Sequence, residues 1–207
     1  MCISAVVFDY GGVICNLPSP ENTAQLERLT GLPASIIREL NRKFLGDWDR
    51  GLCNGVDFYR RMLAGKNIFP DDKTLLKIAE TDMNGWKQIN PDSIRLLLDI
   101  KAAGFRLGIL SNMPFDFLDW VRENIVIFDQ IDTAVFSCEE KTIKPESAIY
   151  EILREKLNCT FAQIVFFDDL MDNVSKAQEL GIIGCQWNGP QEAEKFLKSL
   201  GGGFTAL

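Results

Sequence analysis

The sequence predicts an α/β fold, a doubly wound parallel sheet with an inserted α-helical cap, on three observations. First, short apolar runs recur, each ending in small or polar residues: Ser4 to Phe8 before Asp9, Phe105 to Leu110 before Ser111 and Asn112, and Thr133 to Phe136 before Ser137. Ile164 to Phe167 before Asp168 and Asp169, and Ile182 to Trp187 before Asn188 and Gly189, complete the set. Such runs fit strands buried on both faces. Second, helical patterns lie between most of them: Ile94, Leu97, Leu98 and Lys101 closed by Gly104; Ile149, Ile152, Leu153 and Leu157 opened by Pro145; Val174, Ala177 and Leu180 closed by Gly181. Alternating strands and helices imply parallel pairing with right-handed crossovers.

The third observation is a break in that rhythm. Between Leu17 and Gln88 there are four helical patterns and no strand, among them Ile36, Ile37, Leu40 and Phe44 after Pro33, then Phe58, Tyr59, Met62 and Leu63, then Leu75, Leu76, Ala79 and Met83. The expected division is a core of residues 1–16 and 89–207 with a helical cap at 17–88. The Gly201–Gly203 tail reads as a frayed helix end.

At 207 residues the chain has the size of one domain with a substantial insertion, or of two small domains. Its 46% hydrophobic and 25% charged residues are ordinary for a globular protein and argue against disorder or a membrane protein. A net charge of −7 without a Lys/Arg cluster disfavours nucleic acid as a partner. No apolar run approaches the ~18 residues of a membrane span, and no basic-flanked leader opens the chain, so the expectation is a cytoplasmic monomer or homodimer. Cys2, Cys15, Cys53, Cys138, Cys159 and Cys185 are scattered, which predicts reduced, mostly buried thiols. The chain has no histidine, which removes a mixed Cys/His zinc site and any Ser-His or Cys-His nucleophile. Catalysis would then rest on carboxylates, lysine or a metal ion.

In an open parallel sheet the carboxyl ends of the strands line one crevice. Asp9, Ser111, Asn112, Asp168 and Asp169 should therefore converge. Three carboxylates crowd one pocket only if a cation neutralises them or some hold protons, and an all-oxygen donor set selects Mg2+ over zinc. Plainer readings stand beside this one: Ser111 and Asn112 as turn residues, Asp168 and Asp169 as a helix cap.

These residues fall in a known order. Phe8 to Val13 (FDYGGV) resembles motif I of the haloacid-dehalogenase-like superfamily, Leu110 to Asn112 motif II, Lys144-Pro145 the motif III lysine, and Phe167 to Asn173 (FDDLMDN) motif IV. The helical insertion sits where that superfamily's type 1 cap belongs. The chain is most similar to the subgroup with the N-terminal phosphatase domain of soluble epoxide hydrolases and bacterial glucose-1-phosphate phosphatases. The resemblance implies a magnesium-dependent hydrolase, a phosphatase for small phosphate monoesters such as sugar phosphates. Asp9 would be the nucleophile, forming an aspartyl-phosphate. Asp9, the Gly11 carbonyl and Asp169 would hold Mg2+, with Asp168 behind them or sharing the ion. Ser111, the Asn112 backbone and Lys144 would hold the phosphoryl oxygens. Asn173 would orient Lys144 or an acidic partner.

One position departs from the pattern. Most phosphatases of the superfamily carry a second Asp two residues after the nucleophile as general acid and base, and here that residue is Gly11. Losing such a group typically costs ~10²- to 10⁴-fold in rate. Gly11 therefore suggests substrates whose leaving oxygen needs little protonation, and slow breakdown of the phosphoenzyme. Two rival readings follow: a metal-free 2-haloacid dehalogenase using Asp9, which the Asp168-Asp169 pair opposes, and a catalytically idle metabolite-binding relative. Within the cap, Trp48 and Arg50 in the Asp47–Gly51 segment are the candidate substrate contacts; the alternative is a helix turn with Trp48 packed inward.

Overall fold

The structure is a computed structural model that describes residues 3–206, so Cys2 lies outside the described residues. Five strands, β1 (Ala5–Phe8), β2 (Arg106–Ser111), β3 (Thr133–Phe136), β4 (Ile164–Asp168) and β5 (Ile183–Gln186), form one sheet in the order β3-β2-β1-β4-β5. All neighbouring pairs are parallel. β1 is central, with Phe8 paired to Ile109 on one side and to Phe167 on the other. All four of its residues are fully buried, as its unbroken apolar sequence requires of a strand covered on both faces.

The chain runs outward from β1 to β2 and β3, then returns to place β4 and β5 on the opposite side, so the strand order reverses at β1. That reversal opens a crevice at the carboxyl ends of β1, β2 and β4, the place where ligands bind in open α/β sheets.

Ten helices accompany the sheet among the described residues. Four follow β1: α1 (Pro20–Thr30), α2 (Ala34–Asp49), α3 (Gly55–Ala64) and α4 (Asp72–Gly85). The others are α5 (Pro91–Ala102), α6 (Phe115–Asn124), the single turn α7 (Ser137–Glu140), α8 (Ser147–Leu157), α9 (Met171–Glu179) and α10 (Pro190–Ser199). Leu96, Leu97 and Ile100 of α5, Phe117, Leu118 and Val121 of α6, and Leu197 of α10 pack with Val6, Phe8 and Phe167 on one sheet face. Ile149, Tyr150 and Leu153 of α8 and Ala177 of α9 pack with Val7 and Phe166 on the other. Phe8 stacks on Phe167 with ring centres 5.3 Å apart, which makes the β1–β4 junction rigid where the site is built.

Helices α1 to α4 have a core of their own around Phe58, Tyr59, Met62, Leu63, Leu75 and Ile78, all fully buried. Local signals set their starts: the side chains of Ser19, Asn54 and Asp71 accept backbone N–H bonds at the first turns of α1, α3 and α4. The chain leaves and re-enters the sheet layer side by side. Cys15 and Ile89 form an antiparallel bridge, Asn16 N–H donates to Gln88 O (2.8 Å), and Asn90 N–H donates to Ile14 O (3.0 Å).

Two expectations need correction. The glycine tail is not a frayed end: Gly202–Ala206 forms a 3-10 turn, and Phe204, 1% exposed, stacks on Phe105 at 3.9 Å. Burying an aromatic ring ties this segment down. The five described cysteines are free, but only Cys15 and Cys138 are buried while Cys53, Cys159 and Cys185 are half-buried.

Candidate active site

Asp9 sits directly past the end of β1, where the chain turns through a wide helical turn, Tyr10–Ile14. Its carboxylate accepts the Tyr10 N–H at 2.6 Å, which aims it into the crevice. The turn requires Gly12: its φ is +69°, and a Cβ there would lie 2.9 Å from Asp169 Oδ2. Backbone and carboxylate thus approach more closely than any side chain would permit.

Lys144 reaches the same point from the loop before α8. Its side chain is 1% exposed, and its Nζ lies 2.9 Å from Asp9 Oδ1 and 2.6 Å from Asp168 Oδ2. Asp168 is fully buried at the end of β4 and also accepts from Leu170 N (2.9 Å) and from Asn173 Nδ2 (3.0 Å to each oxygen). Asn173 therefore contacts the acidic partner rather than Lys144. Asn112 binds the lysine's backbone instead: its Nδ2 donates to Lys144 O (3.0 Å) and its Oδ1 accepts from Lys144 N (2.8 Å). Ser111 is 2% exposed, with only a long 3.5 Å contact from its hydroxyl to Asn112 O.

The electrostatics follow from this crowding. Burial raises the Asp9 carboxyl well above the usual carboxylate range, Lys144 pulls it back, and Asp168 and Asp169 push it up again. Burial likewise raises the half-buried Asp169, reinforced by Asp168. Burial alone would lower Lys144, but Asp9 and Asp168 overcome it and hold the ammonium above its ordinary value. Carboxylate oxygens of Asp9, Asp168 and Asp169 lie within 4.8 Å of one another. One ammonium against three carboxylates leaves an excess of negative charge, and an all-oxygen cluster of that span fits a hard divalent cation.

A cavity of about 370 Å³ opens over these groups, between the strand ends and helices α2 and α4. Asp9, Gly11, Ser111, Asn112, Lys144, Asp169 and Asn173 all line it. Gly11 lies against the cap, since a Cβ on it would be 3.3 Å from Trp86 Cζ3.

The two cap residues chosen from the sequence fare differently. Trp48 is at the end of α2 and lines the cavity, yet it is only 3% exposed, stacks on Phe58 at 4.8 Å, and donates its indole N–H to Asp116 Oδ2 (2.7 Å). It packs inward and locks the cap to α6. Arg50 is not among the residues of the cavity wall: its guanidinium pairs with Glu146 and donates to Gly46 O (3.2 Å). The residue between them points inward instead. Asp49 is 7% exposed, lines the cavity, and burial, aided by Asp82, lifts its carboxyl to about 7. Its backbone carbonyl accepts from Ser137 Oγ (2.6 Å), fixing the end of α2 against the core.

Asp49, Asp82 and Trp86 were not singled out from the sequence, and Met83 was read only as part of a helical stripe, yet all four line the cavity. Only Asp49 carried a signal, as the third acid-or-aromatic residue in the Asp47–Gly51 segment. No helix among the described residues is long and apolar enough to cross a membrane.

A family model described as a haloacid dehalogenase-like hydrolase matches residues 3–181. Phosphatase MT3486 of Mycobacterium tuberculosis is 26% identical over 193 residues, covering 88% of this chain and 86% of that protein. Sesquiterpene phosphatase astK of Aspergillus oryzae is 27% identical over 190 residues, covering 89% and 90%. Among solved structures, the HAD family enzyme bt-2542 of Bacteroides thetaiotaomicron, in complex with magnesium and inorganic phosphate, shares the fold with a TM-score of 0.70, 23% identity, and coverage of 89% and 93%. With its Asp9, Lys144 and Asp168-Asp169 cluster at the reversal point of its own sheet, the chain belongs to the haloacid dehalogenase-like hydrolase family.

Proposed function

We propose that the protein is a magnesium-dependent phosphatase that cleaves small phosphate monoesters through an aspartyl-phosphate on Asp9. The single observation that carries the reading is the Lys144 ammonium buried between Asp9 and Asp168, next to Asp169. Phosphoryl transfer depends mainly on positioning and charge neutralisation, and this is a preformed set of groups for both.

Asp9, Asp169 and the Gly11 carbonyl would hold Mg2+, with Asp168 spent mainly on Lys144 and Asn173. The bound ion supplies positive charge to the phosphoryl oxygens and allows Asp9 to stay ionised beside other carboxylates. An Asp9 oxygen attacks phosphorus, the bond from phosphorus to the substrate oxygen breaks, and the alcohol leaves with a proton taken from solvent or the cap. Ser111 and Lys144 hold the transferring group. Water then cleaves the acyl-phosphate and returns Asp9. Residues 1–16 and 89–207 carry this chemistry, while 17–88 act as the cap that excludes bulk water.

The relatives named phosphatases support this reading. The test is phosphate release from a panel of phosphorylated small molecules with and without Mg2+, beside D9N and a chloride-release assay with 2-haloacids. Metal-dependent phosphate release that falls more than about 10³-fold in D9N is the expected result. Metal-free halide release, or silence on the whole panel, would sink it.

A further inference from the structure

We infer that the substrate is a phosphate monoester of an uncharged, apolar alcohol or phenol rather than of a sugar or a cationic amino alcohol. This rests on the phosphatase reading and narrows it.

Beyond the groups that would meet the phosphate, the cavity wall is hydrophobic. Leu45 and Trp48 come from α2, Met83 and Trp86 from α4 and its end, and Met113 and Phe117 from the start of the α6 region. A sugar carries several hydroxyls, and each one buried without a partner loses its hydrogen bonds to water with nothing in return. This wall offers few partners. The Trp48 N–H is committed to Asp116, and Asp82 is committed to the Tyr59 hydroxyl at 2.7 Å. The remaining polar groups on the cap side are Asn41 and Asp49. Each methylene buried against such a wall is instead favourably removed from water.

The mouth is apolar as well. Leu17 and Leu170 line the cavity while remaining 60% and 57% exposed, beside the carboxylate cluster. Exposed leucines flanking an opening lose water when an apolar group enters between them. A volume of about 370 Å³ suits a molecule of roughly metabolite size, at the lower end of the ~300–1,000 Å³ typical of ligand sites. A cationic amino alcohol would need a fixed counter-ion facing it. Asp82 Oδ2 already accepts from the Tyr59 hydroxyl, and Asp49 is buried at the end of α2 with its carboxyl raised to about 7, so neither is a standing charge like the Asp9–Asp169 cluster.

Three phosphates of primary alcohols separate the classes: octyl phosphate, glucose 6-phosphate and phosphocholine. With Mg2+, kcat/KM for octyl phosphate should exceed that for each of the others at least tenfold, mainly through KM. Leu45→Gln, with its fold checked by circular dichroism and Tm, should shrink that preference several-fold. Equal or better turnover of glucose 6-phosphate or phosphocholine overturns the apolar assignment while leaving a phosphatase. No Asp9-dependent phosphate release from these three or from phenyl phosphate, whose leaving oxygen needs little protonation, removes the phosphatase reading and this inference together.

Discussion

Asn112 grips the Lys144 peptide from both sides, donating to its carbonyl at 3.0 Å and accepting from its amide at 2.8 Å. A side chain at the end of β2 thereby fixes the backbone of a lysine 32 residues away, and through it the ammonium between Asp9 and Asp168. Replacing Asn112 with Ala should cost about 1–3 kcal/mol of stability, because two backbone groups lose partners. A displacement of Lys144 by ~1 Å is enough to lower the rate ~10²-fold. Steady-state kinetics should therefore show a kcat loss larger than any change in KM.

Lys144 is worth more to the fold than an exposed lysine because its charge is buried and shared. Lys144→Met leaves Asp9 and Asp168 facing each other without a cation, and breaking a buried pair costs about 3–5 kcal/mol. Urea denaturation should show a loss of that size without metal. Saturating Mg2+ should recover part of it by supplying the missing positive charge.

Asp49 predicts a pH signature. Its carboxyl is raised from about 3.8 to about 7 in the folded protein, chiefly by burial. The folded state therefore keeps a proton that the unfolded chain has already lost, so stability declines as pH rises through the window from about 4 to about 7. At 1.36 kcal/mol per unit the full effect is at most about 4 kcal/mol. Asp49→Asn cannot titrate, so in EDTA its stability relative to the parent protein should increase between pH 5 and pH 8. An unchanged difference would refute the assignment.

Gly11 and Trp86 should behave as a pair. The missing general acid and base predicts slow hydrolysis of the phosphoenzyme and a burst in rapid-quench kinetics. Gly11→Asp alone presses its Cβ to 3.3 Å from the Trp86 ring and should repair little. Gly11→Asp combined with Trp86→Ala makes room, and the burst should shrink as the second step accelerates.

The strand ends were legible in the sequence because a parallel sheet leaves little freedom: four-residue apolar runs such as Ala5–Phe8 must be buried, and the residues just past their carboxyl ends must meet at one edge. Helices α6 and α10 were harder to read. Phe115–Asn124 begins at Pro114 without a side-chain cap, and Pro190–Ser199 starts after Gly189 in the same way. The cap side of the site was largely hidden. Trp48, Asp49 and Arg50 are consecutive on one helix end, and at about 100° per residue only the docking of α2 onto the sheet decides which of them faces the cavity. That docking depends on contacts far apart in sequence, such as Trp48 with Asp116 and Ser137 with Asp49.

The paired crossing at Cys15 and Ile89 bears on how such a protein can change over generations. Because both connections pass through one narrow doorway, replacing the block between them would leave the pairing of the five strands intact and break only side contacts such as Trp48 with Asp116 and Asp49 with Ser137. A graft made at this doorway would keep Asp9 and Lys144 and exchange the α2 and α4 side of the cavity, while Met113 and Phe117 stay behind to shape what the new wall can admit.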